Sequence, residues 1–364
     1  MRFAIRLIAI VAAALVLPIE TYSDSSFVGS FTTIETVGPT VPANGDINPY
    51  GIVVVPNSTG KLVVGDILVS NFNASSNKQG TGTTIVQISP GGTNTLFAQI
   101  SGDAACTGGV GLTTALAIVQ NSFVVVGSLP TSDGTSATAK AGCLIVLDSM
   151  GNVVDTFTSS QINGPWDMTA IDQGSKSLLF VTNVLNGTVG ANGKVVNRGT
   201  VLRVTLDFSK GAPRITGHSI VGDGFPERTD PAALVIGPTG LGLGSDGTLY
   251  VADTLASRIA AIPKALTRKN SAHLGITIAQ GGSLFAPLGL AIAPNGDILT
   301  VNGGDGNLVE NTTGGTQFPP VNLDTTSAPP ADPGAGTLFG LAVAPGGTGI
   351  YFVDDGSNTL NLLH

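Results

Sequence analysis

The sequence predicts an all-β molecule: a six-bladed β-propeller of four-stranded antiparallel blades, closed by an N-terminal strand that completes the last blade. Three observations carry this. A phrase recurs at intervals of roughly fifty residues, a period proper to blades and repeat arrays. It reads GPTGLGLGSDGTLYVADTLASRIAAI from Gly237 to Ile262, APLGLAIAPNGDILTVNGGDGNLV from Ala286, and LFGLAVAPGGTGIYFVDDGSNTLNLL from Leu338. Each phrase sets two apolar runs about a glycine-containing turn, the pattern of a β-hairpin. Finally, the last unit stops one strand short at NTLNLLH, while SFVGSFTTIETV, Ser26 to Val37, is one strand too many at the other end. The surplus and the deficit cancel if the ring closes between them, which also removes an unpaired edge.

Taken in order, the chain begins with Met1-Arg2 and Arg6 ahead of the apolar run LIAIVAAALVL, Leu7 to Leu17, broken by Pro18. A membrane-spanning helix needs about 20 apolar residues. The shorter run, with small residues at Thr21 and Ser23, reads as a signal peptide over 1–23, cut before Asp24. A retained anchor is the alternative. Residues 24–364 then form the propeller, with no later segment apolar enough to span. After the closing strand come degenerate copies of the hairpin: NPYGIVVVPNSTGKLVV from Asn48, GLTTALAIVQNSFVVVG from Gly111, and GPWDMTAIDQGSKSLLFVTN from Gly164. With the three clear phrases these make six hairpins. Each is followed by two further strand-like runs, such as GTTIVQISPGG then TLFAQIS.

Composition agrees. Of 364 residues, 42% are hydrophobic and 11% charged, with Gly 50 and Pro 21, so a large core is available and turns are frequent. A net charge of −8 argues against nucleic acid, whose phosphates call for a basic patch. The leader and the surface rich in Ser, Thr, Asn and Gly suit a secreted or periplasmic protein. Cys106 and Cys143 are the only cysteines, which excludes a CxxC redox motif or a four-cysteine zinc site. One opens blade two and the other its third strand, so a disulfide across the blade is expected, with two separate buried thiols as the alternative. The sequons at Asn57, Asn73, Asn186 and Asn311 are explained by composition alone.

The phrases PTGLGLGSDGTLYVADTLASRI, PLGLAIAPNGDILTVN and FGLAVAPGGTGIYFVD resemble the NHL repeat, and also the related SMP-30/gluconolactonase and strictosidine-synthase-like propellers. The resemblance covers nearly all of the mature chain and implies fold more firmly than activity, since such folds host enzymes and binders alike. For the SMP-30-like enzymes it would imply oxygen ligands from several blades, Asn, Asp and Glu, around a divalent cation. The residues before each repeat glycine, or its equivalent, are instead Tyr50, Thr113, Trp166, Thr239, Leu288 and Phe339. Asp167, with Asn48 and Asn163 nearby, does not supply the six or more oxygens of a calcium site. No metal or other cofactor is expected. His218, His273 and His364 lie outside the repeat starts, so a histidine-dependent lyase is not matched either.

The long loops fall on one face: SNFNASSNKQGTG, PTSDGTSATAKAG and VLNGTVGANGKVVNRG within blades, DGFPERTDPAALVIGP and DTTSAPPADPGAGT between them. Loops longer than closure requires are where binding concentrates. The tunnel mouth on that face gives the candidate ligand residues Tyr50, Thr113, Trp166, Asp167, Thr239 and Phe339. Trp166 is either a stacking platform for a ring or a plug for a narrow tunnel. Asp253, Asn302, Asp354 and Asn183 end the second strands and are expected to bond backbone N–H groups of the turns that follow. The function expected is a binding module for a protein, peptide or glycan at the loop-rich face. A hydrolase or lyase with its site at the tunnel mouth is the alternative.

Overall fold

The computed structural model describes residues 25–103, 105–111, 114–326 and 331–364; the expected signal peptide and Thr113 lie outside the described residues. Six antiparallel sheets stand around an axis. Blade one comprises β2 (Ile47–Val54), β3 (Ile67–Asn73), β4 (Thr84–Ile88) and β5 (Asn94–Gln99). Blade two comprises β6 (Leu116–Val119), β7 (Phe123–Ser128), β8 (Cys143–Leu147) and β9 (Val153–Phe157). Blade three has β10 (Pro165–Gln173), β11 (Lys176–Asn183), β12 (Val196–Asp207), β13 (Arg214–Asp230) and β14 (Leu234–Ile236). Blade four runs β15 (Pro238–Leu243), β16 (Leu249–Asp253), β17 (Arg258–Ile262) and β18 (Ile276–Gln280). Blade five runs β19 (Pro287–Ile292), β20 (Ile298–Asn302), β21 (Asn307–Asn311) and the two-residue β22 (Val321–Asn322).

Blade six is β23 (Leu338–Val343), β24 (Ile350–Asp354) and β25 (Thr359–Leu363), completed by β1 (Ile34–Pro39). β1 lies antiparallel to β25, with Ile34 opposite Leu363 and Pro39 opposite Thr359. The amides of Thr32 and Thr33 also donate to the His364 carbonyl. The ring therefore closes as expected, although the closing strand begins later than Ser26. Residues Val28–Ser30 form a 3-10 turn instead. Its Val28 is buried between blades five and six, and the buried Glu310 of β21 accepts hydrogen bonds from the Phe27 amide at 2.6 Å and the Val28 amide at 3.1 Å. This turn packs against blade five, whose outer strand is only two residues long.

The middle strands read as unbroken apolar runs because each blade is covered by a neighbour on both faces; β8 and β16 are buried at every position. The core is accordingly a set of separate clusters, one in each gap between adjacent blades. A seventh, partly aromatic cluster sits on the axis at the loop-rich end. The repeat glycine explains itself at the innermost strands. A Cβ on Gly240 would lie 2.2 Å from the Leu288 carbonyl oxygen, on Gly289 2.1 Å from that of Phe339, and on Gly340 2.0 Å from that of Tyr50. Blades four, five and six thus each lay their repeat glycine against the backbone of the next blade, an approach too close for a Cβ.

One expectation fails in blade three. The stretch DGFPERTD, expected as a connection, is the second half of the long strand β13, and Leu234–Ile236 return as a fifth strand. Its charged residues and Pro226 resemble a loop, but β13 follows β12 through several bulges and buries Glu227 completely. Cys106 and Cys143 form the expected disulfide, with Cα atoms 5.6 Å apart.

Candidate functional site

On the loop-rich face the tunnel opens into a cavity of about 410 Å³. Its floor follows from the residues that precede the repeat glycines. Tyr50 (β2, blade one) and Trp166 (β10, blade three) come from blades two places apart in the ring, and the Trp166 indole N–H donates to the Tyr50 hydroxyl at 2.8 Å. Their rings meet edge to face at 5.9 Å, and the Phe339 ring lies 5.0 Å from Tyr50. Phe72, at 5.9 Å from Phe339, completes the group. Tyr50 is 1% and Trp166 3% exposed, whereas Phe339 is half-buried. Tyr50 and Trp166 therefore act as a septum across the tunnel, and Phe339 is the ring left available to a ligand.

The expected mouth residues thus divide. Tyr50, Trp166, Thr239 and Phe339 line the cavity, with Leu288 beside them. The fully buried Thr239 is a strut between blades four and five: its hydroxyl lies 2.8 Å from that of Thr254 and donates to the Leu288 carbonyl at 3.1 Å. Asp167 is not at the mouth. The bulge between Pro165 and Met168 turns it to the other side of the septum, into the lumen that opens on the opposite face.

The cavity wall holds a pair that the motif pattern did not select. Asn48 adopts a left-handed φ of 64°, held by its amide donating to Asn358 Oδ1 at 2.7 Å, and its side-chain amide donates to the Asp355 carboxylate. Burial pushes the Asp355 carboxyl up to about 7, assisted by neighbouring Asp354 and opposed by the Asn48 bond. A signal for Asp355 was available. In blades four, five and six the residue after the second strand lines the mouth, namely Thr254, Gly303 and Asp355, and of these three only the FVDDG phrase supplies a carboxylate. Asp230, the other carboxylate in the wall, is committed to structure: it accepts the Ala232 and Ala233 amides at 2.8 and 3.1 Å and pairs with Arg228 at 2.8 Å.

The long loops form a roof. The turn between β13 and β14 leans over the mouth, with Ala232 and Ala233 lining the cavity. The Gln79 side chain from blade one donates to the Ala232 carbonyl, the Thr131 hydroxyl from blade two to the Gln79 carbonyl, and the Ser136 hydroxyl to the Leu234 carbonyl at 2.6 Å. Loops from three blades are thereby fastened to one another.

The strand-end residues bond as tethers, not always in the turn expected. Asp354 accepts the Ser357 amide of the following turn. Asn302 and Asn183 instead accept from Phe285 and Asn163, which precede their own blades' inner strands. Asp253 holds the buried Arg258 at 2.8 Å. His218, His273 and His364 line neither cavity; His273 pairs with Asp223 at the surface.

Chemically, the mouth offers an apolar ring, a hydrogen-bonding carboxamide–carboxyl pair and an enclosing roof. It does not fit a divalent cation. No three His, Cys, Asp or Glu side chains converge among the described residues, and Asn48 turns its amide N–H toward Asp355 where a metal would need oxygen.

No family model matches the chain, and no curated protein matches it in sequence. Solved structures do match in shape. A gluconolactonase from Xanthomonas campestris is 13% identical with a TM-score of 0.56, over 91% of this chain and 88% of that one. A luciferin-regenerating enzyme is 10% identical at 0.56, over 91% and 94%. A streptogramin B lyase is 14% identical at 0.53, over 91% and 97%. The class is therefore a six-bladed propeller sharing its fold with gluconolactonase- and lyase-type propellers, of which the repeat phrases had implied the gluconolactonase type. Within that shape, this chain carries a roofed mouth above an aromatic septum.

Proposed function

We propose that residues 24–364 are a single exported binding module, released from a signal peptide at 1–23, that takes a sugar ring at the end of a glycan into the mouth cavity. The observation that carries this is that the half-buried Phe339 ring and the Asn48–Asp355 pair line one roofed space of about 410 Å³. An apolar ring face paired with a few placed polar groups suits a compact, hydroxylated ring, and the volume lies in the range of small-ligand sites. Export is supported by the disulfide and by the leader-like N-terminus. Among the described residues, no helix is long and apolar enough to cross a membrane.

The test is titration calorimetry of the mature chain against a panel of monosaccharides and short glycans. One or more should bind, and Phe339→Ala should weaken that binding by at least tenfold, about 1.4 kcal/mol. A panel without any binder overturns the reading.

A second reading rests on Asp355. A carboxyl titrating near 7 in an enclosed cavity is suited to proton transfer, and the fold is shared with a gluconolactonase and a lyase. Lactone or ester turnover by the wild type, lost in Asp355→Asn with the fold intact, would replace the binding module with an enzyme.

A further inference from the structure

We propose that the lumen on the far side of the septum is a second, independent site, for a slender aliphatic amine whose ammonium head reaches Asp167. The space is about 400 Å³ and is walled by the six inner strands β2, β6, β10, β15, β19 and β23. Its inner end is the underside of Tyr50, the residue that lines both cavities. From Tyr50 to Val54 the wall is four residue steps deep, roughly 13 Å at the usual strand rise. That depth accommodates a chain of about six carbons.

The wall is uncharged except at its blind end. Side chains such as Ile52, Leu243, Ile292 and Val343 line the shaft, and among the described residues Asp167 is its one carboxylate. The other titratable group facing Asp167 is Tyr50 from β2; β6, β15, β19 and β23 contribute none to the wall. The carboxylate is aimed and held. Its Oδ1 accepts the Met168 amide at 2.7 Å, and the Leu241 amide of blade four donates to it as well. The Asp167 amide in turn donates to the Thr182 hydroxyl at 3.0 Å, which fixes the bulge.

A lone acid at the closed end of a long uncharged shaft is costly to ionise. Burial pushes its carboxyl up to about 7, against the two backbone bonds. An ammonium group offers the counter-charge that the wall lacks, while an alkyl tail displaces water from the shaft. Neutral and anionic ligands of equal length gain only the second of these. Because the deprotonated carboxylate is the form that binds, affinity for a cation rises with pH across 7, by about tenfold between pH 6 and pH 8.

The experiment is calorimetry of the mature chain with n-hexylammonium chloride, and with n-hexanol as the neutral control, at pH 6 and pH 8. One hexylammonium per chain is expected at pH 8, about tenfold weaker at pH 6, with hexanol weaker than either. Asp167→Asn, which keeps an acceptor for the Met168 amide, should lose at least tenfold at pH 8. Circular dichroism confirms that the variant folds, and if it does not, the wild-type pH and hexanol comparisons decide. Absence of hexylammonium binding, equal binding of hexanol, or affinity indifferent to both pH and Asp167→Asn would overturn the proposal. Glycan binding at the mouth is measured separately, so either site can fail alone.

Discussion

At the scale of single residues, the repeat glycines set the strictest condition. Gly340→Ala would place a methyl group 2.0 Å from the Tyr50 carbonyl oxygen, where backbone and not a movable side chain must yield. We expect a loss of roughly 3 kcal/mol, read from urea unfolding. Gly190→Ala, whose Cβ would meet nothing within 4 Å, should stay within about 0.5 kcal/mol of wild type. The glycines were legible because a repeated position without a side chain signals a close approach even when the partner is unknown. The septum was half legible. Tyr50, Trp166 and Phe339 fell at equivalent repeat positions, but whether they stack for a ligand or for each other depends on packing across the axis. Asp355 was missed because it follows the repeat motif instead of occupying it. Asp167 was misplaced because a β-bulge reverses which side of a strand a residue faces; the same break recurs after Pro49, Pro238, Pro287 and Leu338, so it belongs to the repeat phrase, but a run of apolar residues does not display it.

At the scale of elements, blade two and blade three show opposite degrees of legibility. The disulfide could be placed because its cysteines bracket a strand pair whose register follows from the hairpin. It joins the segment before β6 to the start of β8 across 37 positions. Cys106→Ser with Cys143→Ser should lower stability by about 3–4 kcal/mol on the chain-entropy estimate, seen as a lower midpoint in denaturant. An unchanged midpoint would mean that the loop carries its own order without the bond. In blade three, β13 and β14 were hidden by their polarity. A strand that leaves the propeller body to form a roof no longer needs an apolar face, so the alternation that reveals ordinary strands is lost. Side chains such as Gln79 and Ser136 do the fastening instead, through backbone carbonyls that no motif distinguishes.

At the scale of the whole molecule, buried acids tie stability to pH. Burial pushes the carboxyls of Asp167, Glu227 and Asp355 each up to about 7, whereas such groups titrate near 4 when unfolded. Between about pH 4 and 7 the native chain therefore holds more protons than the unfolded one, and stability falls as pH rises. The contribution is complete below pH 4 and gone above 7. Hydrogen bonds from nearby hydroxyls and amides hold the carboxyls of Asp133, Asp207 and Asp246 below their usual range, which works in the opposite sense but only in acid near or below pH 4. The melting temperature should drop between pH 5 and pH 8, and Asp355→Asn should reduce the drop; a flat or rising profile would refute the linkage.

The pairing of Ile34 with Leu363 has a consequence for biogenesis. A chain emerging from the ribosome has no partner for β1 until β25 has been synthesised, so the sixth blade forms last, however early the other five assemble. Until then the nascent polypeptide keeps a bare edge at each end. A product truncated before Thr359 keeps those edges permanently, which leaves it open to proteolytic clearance.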